Sequence, residues 1–178
     1  FTELYSVEPL LAPESESQAP IRTAAMGELS GLGAVSAFEK IEHQYAPLDF
    51  LHALKDMLAP SGVLFFTTRT ITGFDLQVLW DKTPYIFVPE HLNLLSIEGI
   101  MSLLDRCGLE LIELSTPGQL DLQLVQHASE QDPSIKLPSF VELLIKQRDR
   151  LAHEDFQAFL QKHRLSSHVR VATKKKEV

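Results

Sequence analysis

One cysteine, Cys107, is all the sequence has, so no internal disulfide can form. That fits a reducing compartment and predicts a cytoplasmic protein. No apolar run approaches the ~20 residues that a membrane-spanning helix needs, so no membrane is expected as a partner. Positive charge is also short: 16 Lys and Arg stand against 24 Asp and Glu, a net charge of −8. A broad nucleic-acid surface needs clustered positive charge, which argues against nucleic acid as a partner. The run Lys174 to Lys176 reads as a solvated tail. What the sequence does have is 178 residues with 44% hydrophobic content. That is enough for one domain with a true core, burying roughly 70% of the unfolded surface.

Periodicity places the elements. Leu4 to Val7 is a short strand-like run stopped by Pro9, and Pro13 to Pro20 reads as loop. Ile21 to Ala25 is a weak strand and Gly33 to Phe38 a better one. Pro47 opens a helix with Leu48, Leu51, Leu54 and Leu58 on one face, and Pro60-Ser61-Gly62 turns out of it. Val63 to Thr68, apolar on both faces, is the strongest strand. Helix, turn and buried strand in that order suggest an αβ unit of a mostly parallel sheet. Thr70 to Pro89 is a long connection holding the one tryptophan, Trp80. Ser96 caps a helix that buries Ile100, Leu103, Leu104 and Cys107 and ends at Gly108. Leu109 to Leu114 reads as a strand, and so does Leu120 to Val125, where Asp121 and Gln123 alternate with leucines. Beyond Pro138, Phe140, Leu143, Leu144 and Leu151 follow helical spacing. Phe156, Phe159 and Leu160 mark another helix, and His168 to Thr173 closes as an alternating strand.

Five segments occur in a telling order. AVSAFEKIEH runs from Ala34 to His43, followed by LKDMLAPSGVLFFTTR, then Leu79-Trp80. PEHLNLLS runs from Pro89 to Ser96, and LLDRCGLELIELSTPGQLDLQLV from Leu103. This succession resembles class I S-adenosylmethionine (SAM) dependent methyltransferases, in the broad bacterial group with E-x-x-E-H after the fourth strand. It covers most of Leu4 to Val125, and the closing SSHVRVATKK is similar to the end of that group. The resemblance implies a Rossmann-like, mostly parallel sheet with helices on both faces and an antiparallel C-terminal strand. It implies residues 1–130 as the methyltransferase core and 131–178 as a helical extension with the closing strand of the same domain. SAM is the implied cofactor. Glu8 would then reach its ribose hydroxyls, which a carboxylate can accept; otherwise it is an ordinary exposed glutamate. Met26, Gly27 and Glu28 would lie near adenine, with Phe38 and Glu39 also on the cofactor. Two departures stand out. Gly33 and Ala34 occupy places where the family has an aromatic residue and an aspartate, and the first strand with its glycine-rich loop is expected upstream of Glu8. The segment by itself is therefore expected to be inactive and to bind SAM weakly or not at all.

Glu39, Glu42 and His43 stand at i, i+3 and i+4, positions that share one face of a helical turn. Two carboxylates and an imidazole so placed can relay a proton or bind a divalent cation. His91, in PEHLN, could complete the set. The pattern is similar to the magnesium site of ubiquinone-biosynthesis O-methyltransferases and of small-RNA terminal methyltransferases, which implies Glu39, Glu42, His43 and His91 as metal ligands. The alternative is ordinary polar contacts, and many E-x-x-E-H members have no known metal. Glu42 and His43 are the candidate catalytic pair. Trp80, Tyr85 and His91 are candidates for the acceptor pocket, unless the two aromatic residues are core.

These readings favour a methyltransferase acting on a small-molecule acceptor, on oxygen; the alternative is a binding or scaffold remnant of the same fold. The strand Gly33 to Phe38 would be left with an open apolar edge, which is costly and invites pairing. Leu4 to Val7 is expected to move inward and pair with it; a second copy of the chain, forming a homodimer through that edge, is another way to cover it.

Overall fold

The protein is described here by a computed structural model covering residues 3–7 and 21–176. Its centre is β4 (Leu58–Arg69). Its run of β-branched and aromatic residues favours extended chain, and Leu64 and Phe66 are buried to 0% and 2% exposure. Strand β3 (Leu32–Phe38) pairs with it in parallel. On its other side lies β6 (His168–Lys175), antiparallel, followed by β5 (Leu109–Ser115). The order is β3-β4-β6-β5. Strands β3, β4 and β5 therefore point one way and finish at one edge, with β6 running against them. This is the Rossmann-like arrangement, a central sheet flanked by helices with an antiparallel C-terminal strand.

Helix α1 (Pro47–Met57) begins on its proline and buries Leu51, Leu54 and Met57. Helix α3 (Ile97–Cys107) is capped by the Ser96 hydroxyl, which accepts from the Gly99 N–H at 3.0 Å. It stops at Gly108, whose φ of 71° is the left-handed conformation that glycine adopts without steric cost. Both helices pack with Val35, Ala37, Leu64, Phe66, Val169 and Val171 into one core. A smaller cluster of Leu79, Val125, Ala128 and Val141 joins α2 (Phe74–Leu79), α4 (Asp121–Gln131) and α5 (Ser139–Gln147). Helix α6 (Arg150–Lys162) then leads back to β6.

Three expectations change. Leu120 to Val125 is not a strand: α4 begins at Asp121 and buries Leu122, Val125 and Ala128 at helical spacing, while Leu120 is 53% exposed. The apparent alternation came from leucines on different helical faces. Pro60 to Gly62 does not stand apart as a turn, because β4 already starts at Leu58, with a register break between Leu32 and Ala34 on its partner. And Leu4 to Val7 does not move inward. Strand β1 (Leu4–Ser6) pairs in parallel with β2 (Ile21–Thr23) as a separate two-stranded sheet. That neighbour satisfies its ladder, with Ala24 N–H adding a bond to Ser6 O at 3.0 Å. Among the described residues β3 has only β4 beside it. Its exposed positions are mostly small or polar, Gly33, Ala34 and Ser36, with Phe38 at the end.

The chain after β4 presses closely on the start of β6. A Cβ at Gly73 would sit 2.2 Å from Ser167 Cβ and 2.3 Å from its Cα, where nothing can yield without moving backbone. Gly73→Ala should destabilise the fold by about 1–3 kcal/mol. Gly99→Ala, whose Cβ meets nothing nearer than 3.5 Å, should be neutral or stabilising by up to ~1 kcal/mol. Urea unfolding of the two variants checks the contrast.

Candidate functional site

The E-x-x-E-H segment leaves the carboxyl end of β3, where ligands gather in open α/β sheets. Glu39 carries the ladder one step further, its N–H donating to Thr67 O at 3.1 Å and Thr67 Oγ1 at 3.2 Å. Its φ is 49°, an unusual conformation for a glutamate that breaks the expected helical face. Only residues Ile41–His43 form a turn of 3₁₀ helix. That turn drives Glu42 inside, to 1% exposure. One of its oxygens accepts from the Thr68 hydroxyl at 3.0 Å, and the other, Oε1, has no partner. Burial pushes the Glu42 carboxyl up to about 7, and the neighbouring Glu39 carboxylate adds to the rise against hydrogen bonds from its own backbone and Thr68.

Backbone groups hold both histidines. His43 Nδ1 lies 2.7 Å from Glu90 O; a carbonyl only accepts, so Nδ1 carries the hydrogen and a neutral His43 keeps its lone pair on Nε2. His91 Nδ1 accepts from the Phe87 N–H at 3.0 Å, which puts the hydrogen of a neutral His91 on Nε2. The two rings stand 4.8 Å apart. The PEHLN segment is tied down by Leu92 and Asn93 N–H groups donating to Glu42 O at 2.8 and 3.0 Å. Glu39 lies between Glu42, whose carboxyl it perturbs, and His168, its Oε1 3.4 Å from His168 Nδ1. Among the described residues no three His, Cys, Asp or Glu side chains form a group able to hold a metal ion. Glu39, Glu42, His43 and His91 do not fit one as they stand.

The remaining candidates are scattered over several elements. Gly27 and Glu28 form an exposed 3₁₀ turn with Met26, in which Glu28 Oε2 accepts from Ala25 N–H at 3.1 Å. A side chain at Gly27 or at Gly33 would meet nothing within 4 Å. Phe38 is 56% exposed and sets its edge against Phe65 at 5.8 Å. Trp80 is 65% exposed where α2 ends, so it is not core. Tyr85 is half-buried beneath the Arg69 guanidinium, 5.9 Å from its ring centre. Glu8 lies outside the described residues.

Sequence reasoning missed Thr68, Arg69, Asp75, Asp121 and His168, all at this end of the sheet. The polar break after the apolar run of β4 (Thr67, Thr68, Arg69) and the lone acid in apolar α2, Asp75, were the available signals. A larger, shallow hollow of about 500 Å³ opens between the end of β5 and α6, around Thr116, Gln161 and Arg170. It holds none of the E-x-x-E-H residues. No helix among the described residues is long and apolar enough to cross a membrane.

Comparison with known proteins agrees with this architecture. Residues 14–114 match the family model described as "Methyltransferase domain". No curated protein sequence matches. Among solved structures, a SAM-dependent methyltransferase from Thermotoga maritima is 15% identical, with a TM-score of 0.51 over 89% of this chain and 64% of its own. A mycolic acid cyclopropane synthase solved with SAH and CTAB is 14% identical, with a TM-score of 0.51 over 90% of this chain and 62% of its own. A chain from a Haloferax volcanii complex of a methyltransferase with its activator gives 12% identity, a TM-score of 0.51, and coverage of 92% and 64%. The chain thus spans less than two thirds of the length of these three structures. The family match covers more than half of the sequence, and the fold agrees with it: the chain belongs to the methyltransferase-domain family, with the class I SAM-dependent fold.

Proposed function

We propose that the protein transfers a methyl group from SAM to a hydroxyl oxygen of a small-molecule acceptor, with Glu42 as the proton acceptor. The observation that carries this reading is a buried carboxyl with an unpartnered oxygen and a titration point of about 7, at the carboxyl end of β3. A base is most useful when it titrates near the working pH. Gly27, Glu28 and the exposed Phe38 would hold the nucleoside part of the cofactor, with Glu8 on the ribose. SAM, when bound, supplies a methyl group on a sulfonium, which any aligned lone pair can accept. The residues of this chain then have three tasks. Glu42 takes the hydroxyl proton as the oxygen becomes a nucleophile. Thr68 holds the Glu42 carboxyl in place through its hydroxyl. Trp80, Tyr85 and His91 border the acceptor and keep water away. His43 is held by Glu90 O, so its role is to position the PEHLN segment and present Nε2.

In the whole protein, Glu42→Gln should lower methyl transfer by about 10²–10⁴-fold while leaving SAM affinity within about twofold. The rate of the parent should rise with pH through about 7. SAH release against a panel of hydroxyl-bearing acceptors, with SAM binding measured alongside, checks both. Unchanged transfer in Glu42→Gln would remove Glu42 from the chemistry.

A stability prediction follows from the same carboxyl. Its folded titration point lies above the ordinary 4.5, so between those values the folded state keeps a proton that the unfolded state has released. The associated stability is fully present below pH 4.5 and falls by about 1.4 kcal/mol per pH unit until about 7. Glutamine mimics the protonated form. Glu42→Gln should therefore raise the melting temperature relative to the parent at pH 8 and change it little at pH 4.5, as thermal unfolding at the two pH values would show.

A further inference from the structure

The segment that borders Glu42 is rich in rings, and contacts fasten those rings to Glu42. Phe87 is 59% exposed and stacks on His91 with 6.3 Å between ring centres. The His91 ring lies 4.8 Å from that of His43, the residue that follows Glu42 in the chain. This row therefore runs from the surface to the residue beside the buried carboxyl. Its backbone is held there too. Leu92 and Asn93 N–H groups donate to Glu42 O, and His43 Nδ1 donates to Glu90 O.

A second tether comes from β4. Thr68 donates its hydroxyl hydrogen to the Glu42 carboxyl at 3.0 Å. The next residue, Arg69, places its guanidinium 5.9 Å from the centre of the Tyr85 ring, and its Nη1 lies 3.8 Å from Oδ2 of the buried Asp75 in α2. Tyr85 N–H in turn donates to Thr83 Oγ1, and Thr83 N–H to Trp80 O. Trp80 thus belongs to the same folded stretch, with its side chain 65% exposed. Phe87 and Trp80 complete no core. Large aromatic surfaces left in water beside a buried carboxyl suit a ligand that is itself a flat, apolar ring.

The chemistry of a carboxylate base narrows the class further. Carboxyl groups titrate at about 4, and burial raises them by a few units. An aliphatic hydroxyl is about as weak an acid as water, whose pKa is ~15.7. A phenol titrates at about 10, which makes its proton easier to remove by roughly 10⁵–10⁶-fold. A carboxylate that must take a hydroxyl proton is therefore far better matched to a phenol.

We propose that the acceptor is a phenol, a hydroxyl carried directly on an aromatic ring, with the ring against Phe87 and Trp80 and the oxygen toward Glu42. The proposal rests on the methyl-transfer reading above and names the acceptor class for it. The phenol oxygen gives its proton to the Glu42 carboxylate and a lone pair to the methyl carbon. The carbon–sulfur bond breaks with its electron pair left on sulfur, so the products are an aryl methyl ether and SAH. Arg69 is a positioning residue, which ties Tyr85 to the strand that carries Thr68.

The test uses the whole protein and probes of similar size: phenol, anisole, benzyl alcohol and cyclohexanol. Binding is followed by NMR at the indole N–H of Trp80, with SAH titrated in parallel samples. The ring-bearing probes should shift that signal and bind about 10-fold or more tighter than cyclohexanol. With SAM added, mass spectrometry should find methyl transfer to phenol about 100-fold or more faster than to benzyl alcohol, which has the ring but an aliphatic hydroxyl. Phe87→Ala, at an exposed position that leaves the fold intact, should weaken phenol binding severalfold without altering SAH affinity. Arg69→Ala should raise KM for phenol more than it lowers kcat, and Arg69→Lys should recover part of the loss. If Arg69→Ala does not fold, Phe87→Ala and the probe series still decide. Cyclohexanol binding as tightly as phenol, benzyl alcohol methylated as fast as phenol, or no response to any ring-bearing probe at tens of millimolar overturns the proposal. With SAH still bound, that result removes the acceptor class alone. Phenol binding in a protein that does not bind SAH overturns methyl transfer, and the acceptor class with it.

Discussion

The pairing of β6 with β4 is the constraint on which the candidate site depends. Seven successive residue pairs run from Val63↔Lys174 to Arg69↔His168. That register inserts the end of the sequence between β4 and β5 and brings His168 to the edge where β3 and β4 finish. A slip of one residue would send every side chain of β6 to the opposite face. Val169 and Val171, both fully buried, would leave the core, and His168 would lose Glu39. The register is held from outside the sheet as well. Asp121 grips Ser166 and Ser167 just before β6 begins, and the close approach of Gly73 leaves Ser167 no room to move. The Asp121 cluster is thus the clamp that sets the strand.

Burial of acids is the second organising feature. Glu42, Asp75 and Asp121 are all buried at one end of the sheet, and they are handled differently. Asp121 receives four donors and behaves as a structural clamp. Asp75 receives none and leans on the charge of Arg69; burial pushes its carboxyl up, and the Asp121 charge adds to that while Ser167 and Arg69 oppose it. Glu42 has one donor and one empty lone-pair oxygen. An unsatisfied buried carboxylate is costly, and that cost is the main reason the Glu42 carboxyl is pushed up.

Much of the scaffold was legible in the sequence because its signals are local. The capping Ser96, the terminating Gly108, the apolar run at Val63 to Thr68 and the proline that opens α1 all act within a few residues, and each element formed about where they point. The errors came where local and long-range forces compete. Leu120 to Val125 alternates like a strand, yet Asp121 is anchored by residues 45 and 46 positions away, and no local pattern reports that. The edge of β3 was judged by its neighbours in sequence, while β1 found its partner in β2. In the site, the acids of E-x-x-E-H were legible as a pair, but the left-handed Glu39 was not, since nothing in the local sequence asks for it. That one dihedral breaks the helical face expected of the cluster, and Glu39 lies against His168. Arg69 and Asp75 went unread for the same reason: a buried ion pair between a strand end and the following helix takes its meaning from packing.

The central claim is that Glu42 is a buried carboxyl poised to exchange a proton near neutral pH. A direct measurement is the pH titration of its side-chain carboxyl carbon by ¹³C NMR in the folded protein. The account predicts a midpoint near the value of about 7 set by burial and by Glu39. A midpoint in the ordinary carboxylate range, near 4.5, would mean that water reaches Glu42 freely, and would contradict the proposal that it accepts the proton.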